Sequence, residues 1–320
     1  MTIYFDCPDN PTPIGGIKQI YRQVDVLARN GVPAAVVHAR RGFRCNWFAN
    51  DTPVTYAADL RPTDADFLVL PESRPKGEVS LHIRFPGLRQ VIFNQNCYLT
   101  FKDADVLAGV PGDYRSPYED PDTVAVLTVS EDSARVLRFV FPSLHVGIVR
   151  CGIDSAVFRY AEHKERMIAF VARKSKILRE VLHGLRVRGS LAGFAVVPID
   201  GLPQADVADI MRRCLVFLTA VSYEGFGLPP AEAMASGCVV VGFDGWGARQ
   251  YFTSDTGFPV PNGDVVHYMT TVEDVLRRVD TDRATLDELR RKASSYILSE
   301  YSLRSEEGSI LAAWRYILDH

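Results

Sequence analysis

The stretch SYEGFGLPPAEAMASGCVVVGF (222–243) places Glu224 and Glu232 eight positions apart in a run dominated by glycine, proline and apolar residues. Charged side chains are rarely buried without a partner, so this pair is expected to face a ligand. CLVFLTAVS, just before it, predicts a strand that delivers the chain to the carboxyl edge of a sheet. EGFGL then predicts a tight loop, because glycine allows unusual φ values and close backbone approach to a ligand. Pro229 and Pro230 suit the first positions of a helix, AEAMAS supplies about two turns, and Gly237 ends them. The start of that helix offers unbonded N–H groups, an arrangement suited to phosphate. Glu232, in the expected first turn, can reach a neutral hydroxyl of the same ligand. Electrostatic preference for acidic residues at helix starts would by itself account for Glu232. It does not account for Glu224, beside two glycines at the end of a strand.

Short apolar runs alternate with helical patterns along the chain, the signature of βαβ units and parallel sheets. TIYFDC (2–7), AAVVHA (34–39), DFLVLP (66–71), QVIFNQ (90–95), VAVLTVS (124–130) and VGIVR (146–150) read as strands, with an amphipathic helix over 16–31. No helical periodicity stands out between 40 and 65, which reads as irregular. A second series runs through MIAFVA (167–172), a helix near 176–188, GFAVVPI (193–199), a helix near 205–213, CLVFLTA (214–220), a short helix near 229–236 and CVVVGF (238–243). From 264 onward the patterns are helical only. The predicted class is α/β, with two Rossmann-like, doubly wound domains facing a cleft and C-terminal helices closing back onto the first. The expected division is 1–155, with a helix at about 304–320 packing back, and 156–303. Ligands of such sheets bind beyond the carboxyl ends of the strands.

Bulk properties narrow the function classes. The chain of 320 residues is 47% hydrophobic, enough for about two domains. Its 36 basic and 39 acidic residues give a net charge of −3, which argues against nucleic-acid binding. No run of ~18 apolar residues predicts a membrane span, and MTIYFDCPDNP lacks the pattern of a secretory leader. Peripheral membrane contact stays open. Six scattered cysteines without a CxxC pair fit buried thiols in a reducing compartment, so a cytoplasmic location is expected.

EGFGLPPAEAMASG resembles the E-x7-E signature of retaining glycosyltransferases with the GT-B fold, notably family 4. The resemblance extends through GGIKQIYRQVDVLARNG, VSEDSARVL, IVRCGIDSAVF and AFVARK, and VIFNQNCYLTF is similar to a bacterial branch with rhamnosyltransferase-like enzymes. The resemblance implies a nucleotide-diphosphate sugar as donor and a carbohydrate or other hydroxyl-bearing acceptor. Glu232 would then bind the donor ribose hydroxyls. Glu224 would lie near the donor sugar and the positive charge developing at its anomeric carbon. Gly225, Phe226, Gly227 and Leu228 would present N–H groups to sugar and diphosphate, with Gly15 and Gly16 approaching the diphosphate from the first domain. Arg173 matches the family's diphosphate-neutralising arginine. The family's lysine position holds Leu178, so Lys174 or Lys176 must take that part, and Lys174 is preferred. The chain is also shorter than the family between GFAVVPI and CLVFLTA, which leaves the base pocket open. Ile199, in the segment after Val197, is the candidate base contact.

Other motifs carry less. Asp64 and Asp66, like Asp103 and Asp105, spell DxD, which in another glycosyltransferase fold binds metal, but two-letter matches are common and these read as solvated loops. The histidines show no ligand spacing, and His82 and His145 read as structural. Asn94, Gln95 and Asn96 follow a strand and either line the acceptor side or simply form a turn. No metal or other cofactor is expected, because cationic side chains and the helix start can neutralise the diphosphate. A glycosidase using the two glutamates as an acid and nucleophile pair, and a nucleotide-sugar-binding protein without turnover, are the rival readings.

Overall fold

The computed structural model describes residues 1–72, 81–100, 117–172 and 176–320. The chain divides into two compact units, residues 1–150 with 306–320, and residues 151–305. In the first unit the elements are β1 (Ile3–Asp6), α1 (Gly15–Arg29), β2 (Ala34–His38), β3 (Val54–Tyr56), β4 (Phe67–Pro71), α2 (Leu81–Arg84), β5 (Arg89–Asn94), β6 (Thr123–Thr128), α3 (Glu131–Val140) and β7 (His145–Ile148). Its sheet is parallel throughout, in the order β3-β2-β1-β4-β5-β6-β7. The chain thus winds outward from β1 to one edge and returns to wind outward from β4 to the other.

The second unit holds β8 (Glu165–Val171), α4 (Lys176–Val187), β9 (Ala195–Ile199), α5 (Gln204–Arg213), β10 (Cys214–Thr219), α6 (Leu228–Ala235), β11 (Val239–Phe243), β12 (Phe258–Val260), α7 (Val265–Thr281) and α8 (Arg283–Glu300). Its parallel sheet runs β12-β11-β10-β8-β9. All six residues of β10 and all five of β11 are buried, as expected of strands covered by helices on both faces. Ile168, Val216, Leu218, Val239 and Val241 form one core with Val181 and Leu185 of α4 and Val272 and Val275 of α7. The last helix, α9 (Leu303–Asp319), belongs to the first unit from Glu306 onward. There Trp314 packs 5.8 Å from Phe5 and 6.2 Å from Phe67. The buried carboxylate of Glu306 accepts from Arg22 Nε at 2.6 Å.

Two expectations change. The segment between 40 and 65 contains β3, a three-residue strand aligned to β2 through Val36↔Val54; it is too short to show a period. Asp66 is not solvated: it is buried and accepts from the N–H groups of Thr63 (2.7 Å) and Thr2. Burial raises its pKa, and those bonds outweigh burial and lower it. Asp103 and Asp105 lie outside the described residues. All six cysteines are buried free thiols, and among the described residues no helix is long and apolar enough to cross a membrane.

Candidate active site

Strand order reverses between β8 and β10 in the second sheet and between β1 and β4 in the first. Such switch points open a crevice at the carboxyl ends of the strands. In the second unit one loop at this point carries Arg173 and Lys174, which lie outside the described residues. The other is the Glu224 loop. A pocket here is lined by Val171, Leu178, Thr219, Val221, Glu224 and Pro229, among others.

The Glu224 loop is tied down from three directions. Glu224 N–H donates to the Gly245 carbonyl at 2.8 Å, and Gly247 N–H donates to the Glu224 carbonyl at 3.1 Å. The buried hydroxyl of Tyr251 donates to the Phe226 carbonyl at 3.1 Å and also to that of Gly227. Phe226 itself is buried, with its ring 5.1 Å from Tyr251 and 5.2 Å from Tyr301. Burial in this apolar cage, reinforced by the nearby Glu224 carboxylate, pushes the Tyr251 phenol well above its ordinary pKa. Behind the loop, Tyr268 donates to the Thr219 carbonyl at 2.9 Å and secures the end of β10.

Gly227 caps α6 at φ 85°, where a side chain would be strained and its Cβ would meet the Tyr251 hydroxyl at 2.9 Å. The loop N–H groups of Gly225, Phe226, Gly227 and Leu228 have no partner among the described residues. Here the sequence expectation needs correction, because Pro229 and Pro230 remove two of the N–H groups that a helix start would offer. The donors sit in the loop, one step earlier. Glu232 also moves: α6 begins at Leu228, so Glu232 is its fifth residue, half-buried and beyond the first turn.

Next to Glu224, the loop after β11 runs Asp244-Gly245-Trp246-Gly247. Glu224 and Trp246 form a parallel β-bridge. This approach needs glycine on both sides of Trp246. A Cβ on Gly245 would lie 2.9 Å from Glu224 Cβ, and one on Gly247 would lie 2.2 Å from the Gly225 carbonyl oxygen. Among the described residues Trp246 is the one non-glycine residue with positive φ, at 72° with ψ −49°. That is the rare γ-turn region, a conformation costing about 1–3 kcal/mol. The sequence reading passed over this loop, since nothing but GxG around an aromatic marks it.

The remaining candidates spread out. Ile199 ends β9 beside Val171 with its side chain buried, so only its backbone is left for a base. Gly15 and Gly16 open α1 instead of preceding it, and no side chain caps that helix start. The Gly16 carbonyl accepts from Gln95 Nε2 at 3.0 Å. Asn94 is fully buried and donates to Thr100 Oγ1 and the Tyr118 hydroxyl, both at 2.7 Å. Its amide is therefore an internal brace and does not line an acceptor surface. Asn96 caps the short 3₁₀ turn at Cys97–Leu99. His145 stacks on Tyr316 at 3.8 Å, a structural contact.

Two polar features of the first unit escaped the sequence reading. Tyr21 meets His38 Nε2 at 2.7 Å, and His38 Nδ1 meets Asp9 at 3.0 Å. Burial lowers the His38 pKa despite the carboxylate, and this relay braces the loops after β1 and β2. The second is Glu72, just past β4 at the switch point. Burial pushes its carboxyl up to about 7, against the N–H groups of Glu72 and Gln95, which pull it down. The folded chain therefore holds this proton more tightly than the unfolded one. The resulting stabilisation is full below pH 4.5 and is lost as pH rises through about 7. Glu72→Gln should accordingly be more stable than the parent at pH 8, on the order of 1–2 kcal/mol, with the difference fading by pH 5. Denaturant melts at the two pH values check this; a variant less stable at pH 8 contradicts it.

Residues 195–296, which include both glutamates, match the family described as glycosyl transferases group 1. An α-1,6-glucosyltransferase of Actinobacillus pleuropneumoniae serotype 7 is 44% identical over 50 residues, and this match spans 16% of the chain and 15% of that enzyme's length. Among solved structures, Anabaena HepE in complex with UDP-glucose aligns with TM-score 0.69 and 14% identity, covering 99% of this chain and 100% of that one. Sucrose-phosphate synthase of Thermosynechococcus elongatus aligns with TM-score 0.68 and 13% identity, covering 99% of both chains. The catalytic domain of Arabidopsis thaliana starch synthase IV, bound to ADP and acarbose, gives TM-score 0.68 and 12% identity over 100% of this chain and 99% of that one. The protein has the GT-B fold, and residues 195–296 in its second half are similar to the group 1 glycosyl transferases.

Proposed function

We propose that the protein is a retaining, family-4-like glycosyltransferase that moves a sugar from a nucleotide-diphosphate donor to an acceptor hydroxyl. The observation that carries this reading is the Glu224–Leu228 loop. It is anchored at the β8/β10 switch point by Tyr251 and by the Asp244–Gly247 turn, with four N–H groups left for a ligand. Preorganised donors of this kind stabilise charge as it develops on a leaving group, and they do so without reorganising at the moment of reaction. In this reading they take the departing diphosphate together with Arg173 and Lys174. The Glu224 carboxylate supports the oxocarbenium-like sugar, and the acceptor attacks from the leaving group's own face. UDP and ADP are the nucleotides bound by the similar structures, which makes them the first donors to try.

The test screens UDP, ADP, GDP and dTDP, each with its glucose derivative, by thermal shift, then follows transfer from the best pair with and without EDTA. A nucleotide-dependent rise in Tm and EDTA-resistant turnover are expected. Absence of any nucleotide binding would remove the reading, and activity restored only by Mg²⁺ or Mn²⁺ would remove its metal-independent form.

Glu232 is assigned to the donor ribose hydroxyls. Glu232→Ala should weaken donor binding by about 1.5–3 kcal/mol, the loss of hydrogen bonds to a charged acceptor, and Glu232→Gln should weaken it less. Calorimetric titration decides, and equal affinity in parent and alanine variant would end the assignment.

A further inference from the structure

Trp246 occupies a position that physical chemistry would give to glycine. Its φ of 72° and ψ of −49° are rarely adopted by side-chain-bearing residues. The turn itself does not need the indole. It is set by Asp244, which accepts from Trp246 N–H at 2.8 Å and from Arg249 Nε at 3.0 Å, and by the two hydrogen bonds to the Glu224 backbone. A glycine at 246 would make the same backbone bonds with less strain. The chain instead holds its largest type of side chain there, half-exposed. Strain of this kind persists where it serves a site.

The place is specific. The bridge to Glu224 sets Trp246 one strand spacing from the carboxylate-bearing backbone, about 4.8 Å. The Arg249 guanidinium lies 5.0 Å from the indole centroid, and this cation–π contact helps fix the ring's orientation. A fixed, half-exposed aromatic face suits a ligand with an apolar face of its own. A hexopyranose has one, made by its axial C–H bonds, whereas the diphosphate is already provided for by the loop N–H groups.

We propose that Trp246 is an aromatic platform that carries the sugar ring of the donor beside Glu224. This rests on the nucleotide-sugar reading above and adds a residue that decides affinity for the sugar moiety as distinct from the nucleotide.

The experiment uses the full chain and whichever of the four nucleoside diphosphates it binds best, together with the matching glucose derivative. Affinities of both are measured for the parent, Trp246→Phe and Trp246→Gly. The nucleoside diphosphate should bind all three within about twofold. The glucose derivative should bind Trp246→Gly about threefold to tenfold more weakly, the range of one lost aromatic contact, and Trp246→Phe should recover most of the difference. Trp246→Gly should also melt no lower than the parent, because relief of strain offsets the lost side chain. Equal weakening for both ligands, or unchanged affinity for the glucose derivative, overturns the platform. A parent chain that binds none of the nucleotides overturns the functional reading and the platform with it.

Discussion

Glu224→Gln is expected to lower kcat about 10²-fold, near 3 kcal/mol, while donor Kd changes by no more than a few-fold. The amide keeps the size of the side chain. The loop geometry comes from backbone bonds to Gly245 and Gly247, which the substitution does not touch. What is lost is negative charge, and in the proposed mechanism that charge is worth most when the anomeric carbon becomes positive. An interaction made chiefly in the transition state appears in kcat and not in ground-state affinity. Arg173→Ala should behave differently and impair both, because the diphosphate is charged in both states. Single-turnover kinetics separates the two variants, and NMR of the first-formed product should show the donor's anomeric configuration retained. An inverted product, or wild-type turnover in Glu224→Gln, would sink the mechanism.

Gly247→Ala should cost both stability and activity. The added Cβ would fall 2.2 Å from the Gly225 carbonyl oxygen and 2.3 Å from that of Glu224. Both neighbours are backbone, so no side chain can swing aside, and the Glu224 loop or the Trp246 turn must move. A loss on the order of 2–4 kcal/mol is expected, the scale of overpacking in a buried site, with turnover falling at least as far as in Glu224→Gln. Gly263→Ala provides the comparison. Its φ of 88° is unfavourable for alanine, a backbone cost that Gly247 does not carry, but its Cβ would meet nothing within 4 Å, so it should lose only about 1–2 kcal/mol. Denaturant titration of the two variants beside the parent gives the difference. If Gly247→Ala proved as stable as Gly263→Ala, the close approach described here would be wrong.

Much of the fold is a local property of the sequence. The runs CLVFLT and VVVGF are apolar on both faces, which only a strand covered by helices can satisfy, and both are fully buried. Gly227 and Gly237 mark the ends of α6, where φ values of 85° and 82° require them. The paired glutamates, the loop glycines and the prolines mark the loop as a candidate site because no core accounts for such a mixture. Local pattern also has limits. β3 and β12 are three residues each, too short to show a period, and exist because a neighbouring strand offers its free edge.

The inward turn of Asn94, the burial that raises Glu72 and the strain at Trp246 were decided by tertiary structure, since each depends on groups distant in sequence. Asn94 is committed by Tyr118, and Glu72 is met by the Gln95 backbone across the sheet. Trp246 is bent by a turn that pairs with Glu224, 22 residues earlier. The sequence by itself determined most of the strands and helices and marked a candidate place for a charged ligand, because those follow from side-chain chemistry at neighbouring positions. Strand order, and with it the switch point that gathers Glu224 and Trp246 at one edge, arises from long-range pairing of nearly interchangeable apolar strands, and a pattern read along the chain does not contain that information.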